Sequence, residues 1–133
     1  MRPQPQEVIM AFRTCPYCET EWRDYNDFLA DKDLVIEGYH ANIHKPEDGV
    51  IVLSHLCESC GGSIGIRVGK LAELYDLTRF DELKFGTDEC EGHCETFSDI
   101  ASCSQDCSMR WVRDTLQMMK NRIPPPGPTP ANY

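Results

Sequence analysis

A chain of 133 residues, 41% of them apolar and 26% charged, is sized for one domain with a modest core, or one and a small appendage. Its net charge of −9, from 13 Lys and Arg scattered among 22 Asp and Glu, argues against a nucleic-acid backbone as partner and favours a basic protein. No apolar run is long enough to span a bilayer and the opening M-R-P-Q-P-Q-E lacks the apolar stretch of a secretory signal, so the expected compartment is the cytosol, where cysteine pairs serve metal or redox chemistry more often than structural disulfides.

Residues 1–6 read as a disordered leader. Residues 7–13, E-V-I-M-A-F-R, read as a strand entering the first cysteine pair. In residues 19–31 the apolar positions Trp22, Tyr25, Phe28 and Leu29 recur at helical spacing, which predicts a short amphipathic helix. Residues 33–44 and 49–56 are β-rich runs joined by K-P-E-D-G, the composition of a tight turn, and predict a β-hairpin. Residues 63–68, S-I-G-I-R-V, predict a strand with Ile64, Ile66 and Val68 on one face, followed by a helix over 69–80 carrying Leu71, Leu74 and Leu77.

After residue 86 the chain turns acidic and aperiodic. Residues 103–122 then give the clearest helical pattern, with Val112, Leu116, Met119 and Ile123 on one stripe and Cys103, Cys107, Trp111 and Met118 on the next. Packing on both stripes would dock this helix on the rest of the protein. Residues 124–133 are proline-rich and read as a disordered tail, with a polyproline ligand as the alternative. The expected organisation is a unit over 7–85 and a helical segment over 86–123.

Eight cysteines, in four pairs, dominate the chemistry. Cys15 and Cys18, in T-C-P-Y-C-E, and Cys57 and Cys60, in C-E-S-C-G-G, are two C-x2-C knuckles. Each such turn lets two thiolates converge on one ion, and two turns complete a tetrahedron of sulfur. Pro16 fixes a φ that suits the first turn, and Gly61 allows positive φ after the second. The order of knuckle, hairpin, knuckle and strand over residues 7–68 resembles the zinc-ribbon group of folds. Two features depart from that pattern: Glu19 stands where a small residue is usual, and a helix follows the first knuckle. The resemblance implies a structural zinc site and leaves function open.

Two other readings of the same residues remain. C-P-Y-C after an apolar strand and before a helix is similar to the opening of glutaredoxin-like enzymes, with Cys15 attacking and Cys18 resolving. That fold also needs a cis proline opposite the pair, and gives Cys57 and Cys60 no role. Sulfur ligands alone do not choose zinc over iron. Zinc is the preferred reading.

C-E-G-H-C and C-S-Q-D-C form a twin C-x3-C of Cys90, Cys94, Cys103 and Cys107. On helices each pair would share one face. Opposed faces would hold a second zinc ion, an iron–sulfur cluster or two disulfides, or leave free thiols, with metal preferred in a reducing compartment. His93, inside the first of these pairs, offers a substitute ligand. His40, His44 and His55 read first as ordinary sheet residues, although His55 lies near enough to Cys57 in sequence to hydrogen-bond a thiolate. Trp22, Tyr25, Phe28 and Trp111 read as core. Recognisable catalytic motifs are missing from the sequence, and four cysteines close a zinc site that catalysis would keep open.

The expectation is an α+β zinc-ribbon-like protein that serves as an interaction or regulatory module, with catalysis left open as the less favoured reading. A redox protein, either a zinc/disulfide sensor or an iron–sulfur electron carrier, is the alternative.

Overall fold

The computed structural model describes residues 12–57 and 61–126. The expected strand over 7–13 therefore falls largely outside the described residues, as do Cys60 and most of the proline-rich tail. The elements are β1 (Arg13–Thr14), β2 (Glu21–Trp22), α1 (Tyr25–Ala30), β3 (Leu34–His40), β4 (Val50–His55), β5 (Ser63–Arg67), α2 (Val68–Ala72) and α3 (Arg110–Lys120). Short 3-10 turns occupy Pro46–Asp48 and His93–Glu95. The class is α+β, and among the described residues no helix is long and apolar enough to cross a membrane.

The expected hairpin is present. β4 is the centre of a three-stranded antiparallel sheet in the order β3-β4-β5. Leu34 pairs with His55 at one end of β3 and His40 with Val50 at the other, with a register irregularity between Ile36 and Gly38. β5 alternates strictly, burying Ile64 and Ile66 while Ser63, Gly65 and Arg67 face out, as a strand covered on one face does. The second knuckle lies in the β4–β5 connection, and the first lies in a separate two-stranded ribbon of β1 and β2.

Three helices are shorter than their periodicity suggests, each for a local reason. Before α1 the chain is still completing the first knuckle: Cys15 N–H donates to Thr20 O at 2.8 Å and Glu19 N–H to Cys15 O at 2.9 Å. Glu19 takes a φ of 64°, the left-handed conformation that favours glycine, which explains why a small residue is usual at this point and not why Glu19 stands there. The helix starts where Asp24 accepts from Asp27 N–H, an N-cap. α2 stops near Ala72 because Tyr75 is drawn away, its hydroxyl donating to Ile123 O at 2.6 Å and lying 3.1 Å from the Tyr25 hydroxyl, from which it can accept.

α3 starts at Arg110 rather than 103 because the preceding backbone bonds elsewhere. Ser104 N–H goes to Glu91 and Ser108 N–H to Glu82 O. Cys103 and Cys107 therefore sit on a loop, and the helical face expected to present them does not form. Cys90 and Cys94 are likewise outside any α-helix.

One buried cluster runs from Phe12, Trp22, Tyr25 and Phe28 through the sheet to Trp111, Val112, Leu116 and Met119. The expected core aromatics are all in it. Ile123 lies beyond the end of α3 and is 43% exposed, so the first stripe ends at Met119. Arg122, itself at a φ of 55°, donates to Leu29 O, Asp31 O and Leu34 O and ties the end of α3 to the α1–β3 connection.

Candidate metal centre

Cys15, Cys18 and His55 bring their ligand atoms within 4.8 Å of one another. The ribbon β1–β2 presents the first two, and the last residue of β4 presents His55. Cys57 follows from the same strand end, its Sγ 3.5 Å from Cys18 Sγ. For a tetrahedral zinc with bonds of about 2.3 Å, sulfurs stand about 3.8 Å apart, so this pair has single-ion spacing. Gly62 packs against the first knuckle: a Cβ there would enter the ring of Tyr17. Gly61 is not at positive φ and has open space around its Cα, so the role expected of it does not apply.

His55 is 1% exposed and held at both nitrogens. Nδ1 lies 3.5 Å from Cys18 Sγ and Nε2 3.1 Å from Asp31 Oδ2. The same carboxylate oxygen accepts from Trp22 Nε1 at 2.9 Å, and the Trp22 ring stands edge-on to the imidazole at 5.1 Å. A carboxylate behind an imidazole that faces thiolates is the usual outer arrangement of zinc sites.

The electrostatics follow from this geometry. Burial disfavours the His55 charge, but hydrogen bonds to Cys15 and Cys18, with Asp31 and Cys57 close by, push its pKa up to about 9. Burial also works against the Cys15 thiolate. Backbone N–H groups of the knuckle, together with His55 and Cys18, outweigh it and lower the pKa to about 7. The Cys18 pKa is lowered as well, chiefly by Thr20, whose hydroxyl lies 3.2 Å from the sulfur. In the metal-free chain the site is thus a cluster of readily formed thiolates facing an imidazolium. Thiolates with a neighbouring imidazole are the donor set that zinc takes.

The glutaredoxin-like alternative required a helix N-terminus at Cys15. The helix begins at Tyr25 instead, with β2 in between, so no helix dipole acts on that thiol.

Of the eight expected ligands, the structure brings Cys15 and Cys18 together with His55 and sets Cys57 beside Cys18, and Cys60 lies outside the described residues. Cys90, Cys94, Cys103 and Cys107 line one separate cavity. His93 turns to carboxylates, with Nδ1 2.8 Å from Asp99 and Nε2 3.3 Å from Glu91. His40 packs at a tilt against Phe97, with ring centroids 4.5 Å apart. Asp31 and Trp22 carried no sequence signal for the centre, since only the fold sets them behind His55. No family model matches the chain, and comparison with curated proteins and with solved structures gives no match either.

Proposed function

We propose that the chain is a zinc-binding protein whose metal, held by Cys15, Cys18, Cys57 and Cys60, fastens the ribbon to the end of the sheet. The convergence of Cys15, Cys18 and a buried His55 backed by Asp31, with Cys57 Sγ 3.5 Å from Cys18 Sγ, supports this reading. The metal's role is to fold the chain, because its ligands bracket the long connection from Cys18 to Cys57.

The folded unit then serves as a module for a protein partner. Tyr17, inside the first knuckle, and Leu56, just before Cys57, are 58% and 57% exposed and offer apolar surface, and the acidic chain suits a basic partner. Purification without added metal, followed by elemental analysis and chelation, tests the zinc reading. Zinc should be present at the first centre and should leave with loss of the thermal transition. An unchanged thermal midpoint after complete removal would show that the metal does not hold the fold.

A further inference from the structure

Three donor atoms converge at the first centre, and one of them is a nitrogen. Among the described residues, the cysteine-bearing group of three within 4.8 Å of one another is Cys15, Cys18 and His55, and Cys57 is not in it. The end of β4 sets His55 there. Its N–H donates to Gly62 O at 3.0 Å, so the two arms of the second knuckle meet at this residue. Side chains alternate along extended chain, and in His55-Leu56-Cys57 the middle residue is exposed while His55 is buried. The alternation turns His55 and Cys57 to one side, where both reach Cys18: Nδ1 and the Cys57 Sγ each lie 3.5 Å from its sulfur.

Asp31 fixes the other side of the ring. Its Oδ2 accepts from His55 Nε2 and from Trp22 Nε1, and its Oδ1 accepts from Asp33 N–H at 2.9 Å. So held, the carboxylate keeps a proton on Nε2 and leaves Nδ1 as the nitrogen that faces sulfur. A metal-bound histidine almost always donates its other ring N–H to a carboxylate, a carbonyl or water. A buried histidine with only a structural part needs a good partner at each nitrogen, and sulfur is a weak one.

Distance and charge favour a direct bond. With Zn–S of about 2.3 Å and Zn–N of about 2.0–2.1 Å, a tetrahedral ion holds sulfur and nitrogen about 3.6 Å apart. Nδ1 already stands at 3.5 Å from Cys18 Sγ. Three thiolates with a neutral imidazole also leave one negative charge fewer around the ion than four thiolates do. That lowers the cost of charge at a centre where Cys15 and His55 are buried in a chain of net charge −9.

We propose that His55 binds the zinc directly through Nδ1, beside Cys15, Cys18 and Cys57, in the place that Cys60 can also fill. The Nδ1 proton goes to solvent when the ion arrives, and Nε2 keeps its own on Asp31. The inference rests on the zinc reading above and makes His55 and Cys60 alternative donors for one place. The centre therefore keeps its ion when Cys60 is removed.

The test is nitrogen NMR of the full chain carrying isotope-labelled histidine, metal-free and after zinc addition under reducing conditions, with zinc counted per chain. The Trp22 ring beside it identifies the His55 signals. Expected is a His55 ring whose Nδ1 loses its proton and takes the shift of a metal-bound nitrogen, with Nε2 still protonated. This spectrum is read on the parent and needs no variant to fold. Cys60→Ser should hold as much zinc as the parent, and Cys60→Ser combined with His55→Ala should lose the first ion. Cys15→Ser combined with Cys18→Ser gives the zinc count without the first centre. If that count falls below the parent's but Nδ1 of the zinc-loaded parent stays protonated, the direct bond is overturned and the zinc reading stands. Loss of the ion in Cys60→Ser alone also overturns the proposal. A count that the Cys15 and Cys18 changes leave untouched sinks both readings.

Discussion

Behind the first centre, His55 links the thiolates to Asp31, and its replacement separates two effects. His55→Ala leaves the Asp31 carboxylate without its imidazole and Cys18 without its donor. It should lower stability by about 1–3 kcal/mol in urea unfolding. It should also weaken zinc binding by about 10–100-fold in a chelator competition. Equal zinc affinity in variant and parent would remove His55 from the centre.

The same groups set a pH window for the metal-free chain. Cys15 is depressed to about 7, so its stabilising contribution is full above the ordinary thiol range and fades as pH falls through about 7. His55 is raised to about 9, so its contribution is full below the ordinary histidine range and fades as pH rises through about 9. Between about 7 and 9 the two trends oppose each other, so the stability of the metal-free chain should change little with pH there. A melting series across pH that rises steadily through both limits would contradict the imidazolium–thiolate pairing. At this scale the cysteines were plain in the sequence. Asp31 was not, because its tie to His55 spans 24 positions and exists only once α1 and the sheet have docked.

Among the elements, α3 shows where periodicity informs and where it misleads. Val112, Leu116 and Met119 are buried as the stripe implied. Leu116→Ala should cost about 2–5 kcal/mol in denaturant unfolding, the usual loss for a buried leucine. The stripe could not reveal the helix start, because residues 103–109 are claimed by Glu82, Lys84 and Glu91 across a loop. α1 was similarly overextended, although Asp24 three residues before Asp27 is a readable cap signal. Arg113 gave no sign of its burial. Arg113→Met should destabilise by about 3 kcal/mol, since the carbonyls of Asp99 and Ala101 lose their donor. A loss no larger than that of a surface arginine would place the guanidinium in solvent.

For the molecule as a whole, magnitudes decide the effect of metal removal. A structural zinc contributes about 10–16 kcal/mol of apparent binding energy in small zinc-folded peptides. A domain's total stability is about 5–15 kcal/mol. Complete chelation should therefore abolish the cooperative melt rather than shift it, and circular dichroism during chelator titration would show this directly. The α+β class and the hairpin between the knuckles were legible from alternation and turn residues. The shared core was not, since it depends on α3 packing beside α2 and on Tyr75 bridging Tyr25 to Ile123.

The Arg122 clamp also has a temporal side. Its bonds to Leu29, Asp31 and Leu34 join residues 88 to 93 positions apart, so a ribosome exposes both cysteine knuckles and the whole sheet well before it exposes the arginine. Domains mature in the order in which they emerge. The first ion can thus be captured by a nascent chain whose α1–β3 corner is still unlatched, and the latch closes afterwards over a site already loaded. Arg122→Ala should leave that capture intact and speed the later escape of the metal.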